Sequence, residues 1–304
     1  MATVPPTQAS AIAEYLEVPL HGPDIIVQQV NSLSNATNGS LVFMTSCRTE
    51  VCAALNRLGR VMAIADASAR EYLTCTHVIV PDPRLAYARV AQRFFEPATA
   101  PIIAPTAQVS PLARIGSRVS IGHGSVIDSD VEIGDDTFIA DHVVIRSRTR
   151  IGKRCIIRSN AVIGESGFGF DFADRVPVRI PHLGGVVLGN DVLIGCGTIV
   201  SCGTLEDTLI EDDAKIDNLV VVSHNCTVGR GSIVTAGAIL CGRSQVDQFT
   251  WIGANSTIRE GGIKIGEGAL VGLGAVALAP VAPFHVVMGN PARVLRQRDK
   301  TEEF

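Results

Sequence analysis

Residues 103–163 read IAPTAQVSPLARIGSRVSIGHGSVIDSDVEIGDDTFIADHVVIRSRTRIGKRCIIRSNAVI, and an aliphatic side chain returns at every sixth position. The series runs unbroken from Ile103 through Val109, Ile115, Ile121, Ile127, Ile133, Ile139, Ile145, Ile151 and Ile157 to Ile163. A period of six cannot line one face of a helix, which needs about 3.6. It suits a triangular solenoid in which three strand-and-turn units complete one coil and the aliphatic side chains stack inside. Glycine follows at Gly116, Gly122, Gly134 and Gly152, where backbone torsion or crowding at a tight corner would favour the absence of a side chain.

Outward from this run, the register slips in three places. It stops at Glu165, resumes at Leu188, Ile194 and Val200, and slips again before Ile210; it then continues through Ile216, Val222, Val228, Val234, Leu240, Val246, Ile252 and Ile258 before a one-residue slip to Ile265. The longest interruption, GESGFGFDFADRVPVRIPHLGG over 164–185, reads as a loop thrown out of a rigid scaffold, the usual place for function. Residues 1–100 differ in character. Leu41–Met44, Val61–Ile64 and His77–Val80 read as strands, and Thr49–Leu58 and Leu85–Phe95 as amphipathic helices. This predicts a small α/β domain (1–100), a boundary in the stretch EPATAPIIAPTA, a β-helix (101–280) with an inserted loop (164–185), and a capping tail (281–304) forming a short helix or a strap.

Composition narrows the function classes. A formal net charge of -4 without a Lys/Arg run leaves no footprint for nucleic acid or an anionic bilayer. No apolar run reaches membrane-spanning length, and the start MATVPPTQASAIAEYLEVPL lacks a secretory pattern, so a cytoplasmic protein is expected. The eight cysteines show no CxxC pair, and the histidines outside position 224 lack ligand spacing, so no metal is expected.

The order of α/β domain, hexapeptide solenoid, GFGF loop and TLEDTLIEDDAKIDNLVVVSHN (204–225), with NGSLVFMTS (38–46) and PDPRLAYARVAQRFF (81–95), resembles the UDP-3-O-acylglucosamine N-acyltransferases of lipid A biosynthesis. The resemblance implies a mainly β chain folded as a left-handed parallel β-helix behind a small α/β domain, assembled as a homotrimer. It implies His224 as general base, with Asp217 and Asn218 matching the family's IDN segment. A neutral imidazole suits an amine that must shed a proton as it attacks a thioester. One 18-residue coil beyond His224 stands Gly242, whose backbone N–H is the expected oxyanion donor. Asp217 either orients the imidazole, contacts the sugar or lies in a solvated turn.

Phe43, Phe168, Phe170, Asn218 and Asn225 are candidate contacts to a nucleotide-linked amino sugar, and Gly242, Arg259, Gly289, Asn290 and Arg293 to the donor. Phe168 and Phe170 either stack on a sugar or anchor their loop; Phe43 is either a base platform or core. Three departures stand out. Thr49 occupies the place of an expected second aromatic, STIREGGIKIG has no second histidine, and the tail MGNPARVLR resembles that of CoA-dependent hexapeptide acetyltransferases. No permanent cofactor is implied, only acyl-CoA or an acyl carrier protein thioester as co-substrate. These departures favour an acyl-CoA-dependent N-acyltransferase for a surface-polysaccharide amino sugar. The alternatives are UDP-3-O-(3-hydroxyacyl)glucosamine N-acylation from acyl carrier protein and a non-catalytic scaffold.

Overall fold

The computed structural model describes residues 6–96 and 100–299. Part of the interdomain stretch (97–99), the first five residues and the tail's last five lie outside them. By contacts the chain divides into Met1–Thr99 and Ala100–Phe304.

In the first unit a parallel sheet runs in the order Gln29–Val30, Ser40–Met44, Met62–Ala65, Thr76–Ile79. Apolar clusters lie on both of its faces, one around Leu41, Met62 and Ile64 and the other around Val42, Ala63 and Leu55. Strands buried on both sides need continuous apolar runs, which explains SLVFM and MAIA. Helix Thr49–Leu58 ends at Gly59, whose φ of 74° closes it. The helix expected over 85–95 starts earlier, at Pro83, because Asp82 accepts a hydrogen bond from the Leu85 N–H, and its last turn, Ala91–Phe95, widens to a π-helix.

The second unit is a left-handed parallel β-helix. Its strands form three sheets, the faces of a prism. The first face holds nine strands, from Gln108–Val109 through Val221–Val222 to Val276–Ala277; the second holds eight, from Arg114–Ile115 to Lys264–Ile265; the third holds ten, from Ser120–Ile121 to the tail. Each regular coil places a residue against the one 18 positions on, as in Val126↔Val144 and Val221↔Ile239. The second residue of almost every strand points inward, so Ile121, Ile139, Ile157, Ile194 and Ile216 form a fully buried column. Each such side chain contributes about 1.5–3 kcal/mol by leaving water.

Of the two reasons for corner glycines, crowding is the one that operates at Gly116, Gly122, Gly134 and Gly152. A β-carbon at Gly122 would lie 2.5 Å from the Ala140 carbonyl carbon in the next coil, and one at Gly152 2.4 Å from the Gly189 oxygen. The left-handed torsions fall instead two positions later, at residues such as Arg118, Asp136 and Arg154.

Two expectations change. The insertion is a β-hairpin, Phe170–Ala173 against Val176–Arg179, and its two turn residues, Asp174 and Arg175, both have positive φ, as a type I′ turn requires. The tail contains no helix among the described residues: His285–Met288 joins the third face and Arg293–Gln297 folds back on it. This hairpin covers the end of the coil stack, with the Val276 N–H donating to Gly289 O and the Ala292 N–H to Val276 O.

Candidate active site

All three register slips fall at one edge of the prism. The connections from Ile163 to Leu188, from Val200 to Ile210 and from Ile258 to Ile265 each pass from the first face to the second. His224, between Val221–Val222 and Thr227–Val228, turns the same corner. The solenoid therefore keeps its repeat on two edges and departs from it only around this histidine.

The His224 ring is half-buried, and its Nδ1 lies 3.1 Å from Asn225 Oδ1. Asn225 occupies a left-handed position (φ 58°), which an asparagine tolerates better than most residues. Its Nδ2 donates to the Glu206 carbonyl at 3.1 Å, and its Oδ1 accepts from the Thr204 N–H and Oγ1, both at 3.0 Å. A backbone N–H can only donate, so this orientation of the amide is set. His224 Nδ1 must then be the donor to Oδ1, and the neutral imidazole keeps its lone pair on Nε2.

That Nε2 faces Gly242. A β-carbon built at Gly242 would stand 2.7 Å from Nε2 and 2.8 Å from Cε1, so only glycine leaves room for the ring. The coils are joined here by Arg243 N–H to His224 O at 3.0 Å and Gly261 N–H to Gly242 O at 3.2 Å. The Gly242 N–H makes no hydrogen bond among the described residues. A proton acceptor and an unengaged backbone donor thus stand side by side, as attack on a carbonyl requires.

On the other side of His224 lies the insertion. His182 is 5% exposed, with its ring centroid 5.0 Å from that of His224. Gly167 passes over both, since a β-carbon there would meet His182 Nε2 at 2.7 Å and His224 Cβ at 3.1 Å. The glycines of the GFGF sequence are needed for this close approach. Phe168 is 90% exposed and meets Phe170 edge-on at 4.8 Å, so it does not anchor the loop in any core. Beyond Asn225 a cleft of about 460 Å³ is lined by Thr204, Leu205, Glu206, Arg243, Gly261 and Gly262.

Several expected residues lie elsewhere. Asp217 and Asn218 turn the corner between the third and first faces, where Asp217 Oδ1 accepts from the Asn218 N–H and Asn218 Oδ1 from the Cys196 N–H. Within one chain Asp217 does not orient His224; Asn225 does. Both ends of the Asn225 carboxamide are engaged in holding His224, and the residue also lines the cleft beyond it. Arg259 follows the strand Thr257–Ile258 on the His224 edge, whereas Gly289, Asn290 and Arg293 belong to the capping hairpin. In the first unit Phe43 stacks on Tyr87 (4.5 Å, 26°) and lines a cleft of about 720 Å³ with Asn31, Ser32, Arg48 and Glu50. Thr49 opens the adjoining helix. Tyr87, which sequence reading did not single out, takes one face of Phe43.

Among the described residues no group of three His, Cys, Asp or Glu stands close enough to hold a metal, and no helix is long and apolar enough to cross a membrane.

This fold and this corner define a hexapeptide-repeat acyltransferase. The bacterial transferase hexapeptide (six repeats) family matches residues 112–147, 130–165 and 207–242. The chain is 39% identical over 244 residues to UDP-3-O-acylglucosamine N-acyltransferase 2 of Legionella pneumophila (strain Paris), covering 74% of this chain and 71% of the relative. It is 35% identical over 274 residues to the UDP-3-O-acylglucosamine N-acyltransferase of Campylobacter lari, covering 86% of each. Among solved structures, LpxA from Acinetobacter baumannii superposes with a TM-score of 0.59 at 27% identity, over 64% of this chain and 74% of that one. UDP-N-acetylglucosamine acyltransferase from Campylobacter jejuni gives 0.59 at 25%, over 64% and 75%. The chain belongs to the UDP-3-O-acylglucosamine N-acyltransferase family.

Proposed function

We propose that this enzyme transfers an acyl group from a carrier-protein thioester to the amine of a UDP-linked 3-O-acylglucosamine, with His224 as base. The observation that carries the reading is His224 Nε2, the lone-pair nitrogen of the tautomer that the Asn225 contact selects, set against Gly242. In this scheme the amine nitrogen attacks the thioester carbonyl and Nε2 takes its proton. The oxyanion accepts the Gly242 N–H, and collapse expels a thiolate that recovers the proton as thiol, leaving an amide. A thiolate, with a conjugate pKa of about 8.5, needs little help to leave.

The relatives' names favour this acceptor over the surface-polysaccharide sugar suggested by the GNPAR tail. The end-capping work of Gly289 and Ala292 gives that tail a structural reason and weakens the argument for CoA. The cleft beside Phe43 is the proposed seat of the nucleotide base.

A homotrimer is part of the proposal. On the outer side of the first face stand Val126, Val144, Val162, Ile199, Val221 and Ile239 and on that of the third Phe138, Ile156, Leu193, Ile233, Trp251 and Leu270, while the second face presents Arg114, Glu132, Arg150, Gln245 and Lys264 beside Val187 and Leu209. An apolar face suits burial against a copy of the chain, and the first face borders the His224 edge. The hairpin, with every strand residue exposed, also gains by being covered, since a lone two-stranded ribbon is marginal in water. The eight unpaired thiols fit a reducing cytoplasm. The test is release of thiol and formation of amide from hydroxyacyl carrier protein and hydroxyacyl-CoA, each with UDP-3-O-acylglucosamine and with other nucleotide amino sugars. Turnover with the first donor and acceptor supports the reading; preference for CoA and another sugar replaces it.

A further inference from the structure

The insertion buries a second imidazole beside His224. His182 is 5% exposed, and neither ring nitrogen makes a hydrogen bond of normal geometry, the backbone at Ile180 offering only a weak contact. Gly167 and Gly169 close over it, with β-carbons there falling 2.7 Å from Nε2 and 3.1 Å from Cε1. Burying two unpaired polar atoms is unfavourable, and an apolar side chain would fill the space without that cost. The imidazole therefore answers to something other than packing.

Its neighbour changes charge during the proposed reaction. The two rings meet at 64° with centroids 5.0 Å apart, an edge-to-face contact. A neutral imidazole with an uncommitted lone pair and a π-face is nearly indifferent to a neutral ring and attracts a cation. An interaction that strengthens only as charge develops accelerates the step. We propose that His182 is a positioning residue that stabilises the imidazolium form of His224, so that the pair holds its single proton on the base. This rests on the assignment of His224 as base. Burial, and then the charge on His224, hold His182 below the ordinary histidine range, so His182 remains the neutral member.

Other charged or titratable groups around the pair come from every neighbouring segment. Arg179 belongs to the hairpin, and Cys202 approaches the His182 carbonyl, its thiol pushed up by burial. Glu206 and Arg243 line the cleft beyond Asn225, and Cys241 precedes Gly242, its thiol also raised by burial. All of them are unchanged in a comparison of His182 variants.

The experiment compares wild type, His182→Leu and His182→Phe, each checked for a melting point no lower than that of wild type. The ring proton of His224 is followed by NMR from about pH 5 to about pH 8.5 and assigned by its loss in His224→Ala. The expected result for His182→Leu is a His224 pKa lower by about half a unit, with kcat down about threefold and KM unchanged. His182→Phe, which keeps an aromatic face, recovers most of both. A His224 titration that does not move in His182→Leu overturns the proposal, because lost packing alone would lower kcat without shifting it. A titration that moves in an enzyme whose turnover does not depend on His224 leaves the pair intact and removes the base assignment instead.

Discussion

His224 Nε2 lies so close to the α-carbon of Gly242, one coil further along the same edge, that a β-carbon there would stand 2.7 Å away. The contact follows from the coil length alone, and it makes glycine at 242 a condition for the ring's position. Gly242→Ala is expected to push the imidazole off its seat and lower kcat/KM about a hundredfold. The aliphatic column beneath is untouched, so the thermal midpoint should change little. Parallel turnover and melting measurements check this, and full activity in Gly242→Ala would show that the ring need not stand there.

Asn225 sets the tautomer of His224. Asn225→Ala removes the acceptor on His224 Nδ1 and should reduce kcat about tenfold to a hundredfold. Asn225→Asp keeps an acceptor but loses the bond from Nδ2 to Glu206 O, so it should retain more activity than alanine. Steady-state kinetics of the two variants decide the order.

Stability should decline on mild acidification. His77, stacked on His21, and His182 both have folded pKa values lowered, first by burial. Above an unfolded value of about 6.5 both residues are neutral folded or unfolded and contribute no pH dependence. Below it the unfolded chain binds protons that the folded chain refuses, so stability is lost as pH falls from about 6.5 toward the lowered values. Urea unfolding at several pH values measures this. His77→Gln and His182→Leu should each flatten the slope between about pH 6.5 and about pH 5.

The apolar outer side of the first face predicts association. Val144→Lys with Ile239→Lys places two charges on that face without touching the inward residues Ile145 and Leu240. If the proposed trimer forms through this face, light scattering should show the wild type as trimer and the double variant as monomer, with activity falling as the subunits part. A monomeric wild type, or a double variant that remains trimeric, would count against this face as the contact.

How much of this was legible depended on whether the period survived. From Ile103 to Ile163, and again from Ile210 to Ile258, nothing interrupts it, so the solenoid and the stacking of 224 on 242 could be counted directly. The same count, applied more strictly, separates Asp217 from His224. Near neighbours in sequence stand on different edges when each unit of six turns a corner, and the IDN segment therefore reaches another side of the prism. His182 was harder to find. Counting cannot pass through 164–185, and a histidine in the insertion gains its place beside His224 only when Pro181–Leu183 folds back after the hairpin, with the Leu183 N–H donating to Thr204 O at 2.7 Å. The signal that was available is the position of the slips, since all three open at the corner that His224 turns. The terminal hairpin was obscured for a different reason: MGNPARVLR reads as a donor motif, whereas Gly289 and Ala292 bond to Val276 and close the stack.

The decisive variant is His224→Ala, assayed for thiol release and amide product with hydroxyacyl carrier protein and UDP-3-O-acylglucosamine. A loss of at least about a hundredfold in kcat, in a variant that melts and associates like wild type, is the predicted result. Undiminished turnover in that variant would remove His224 from the reaction.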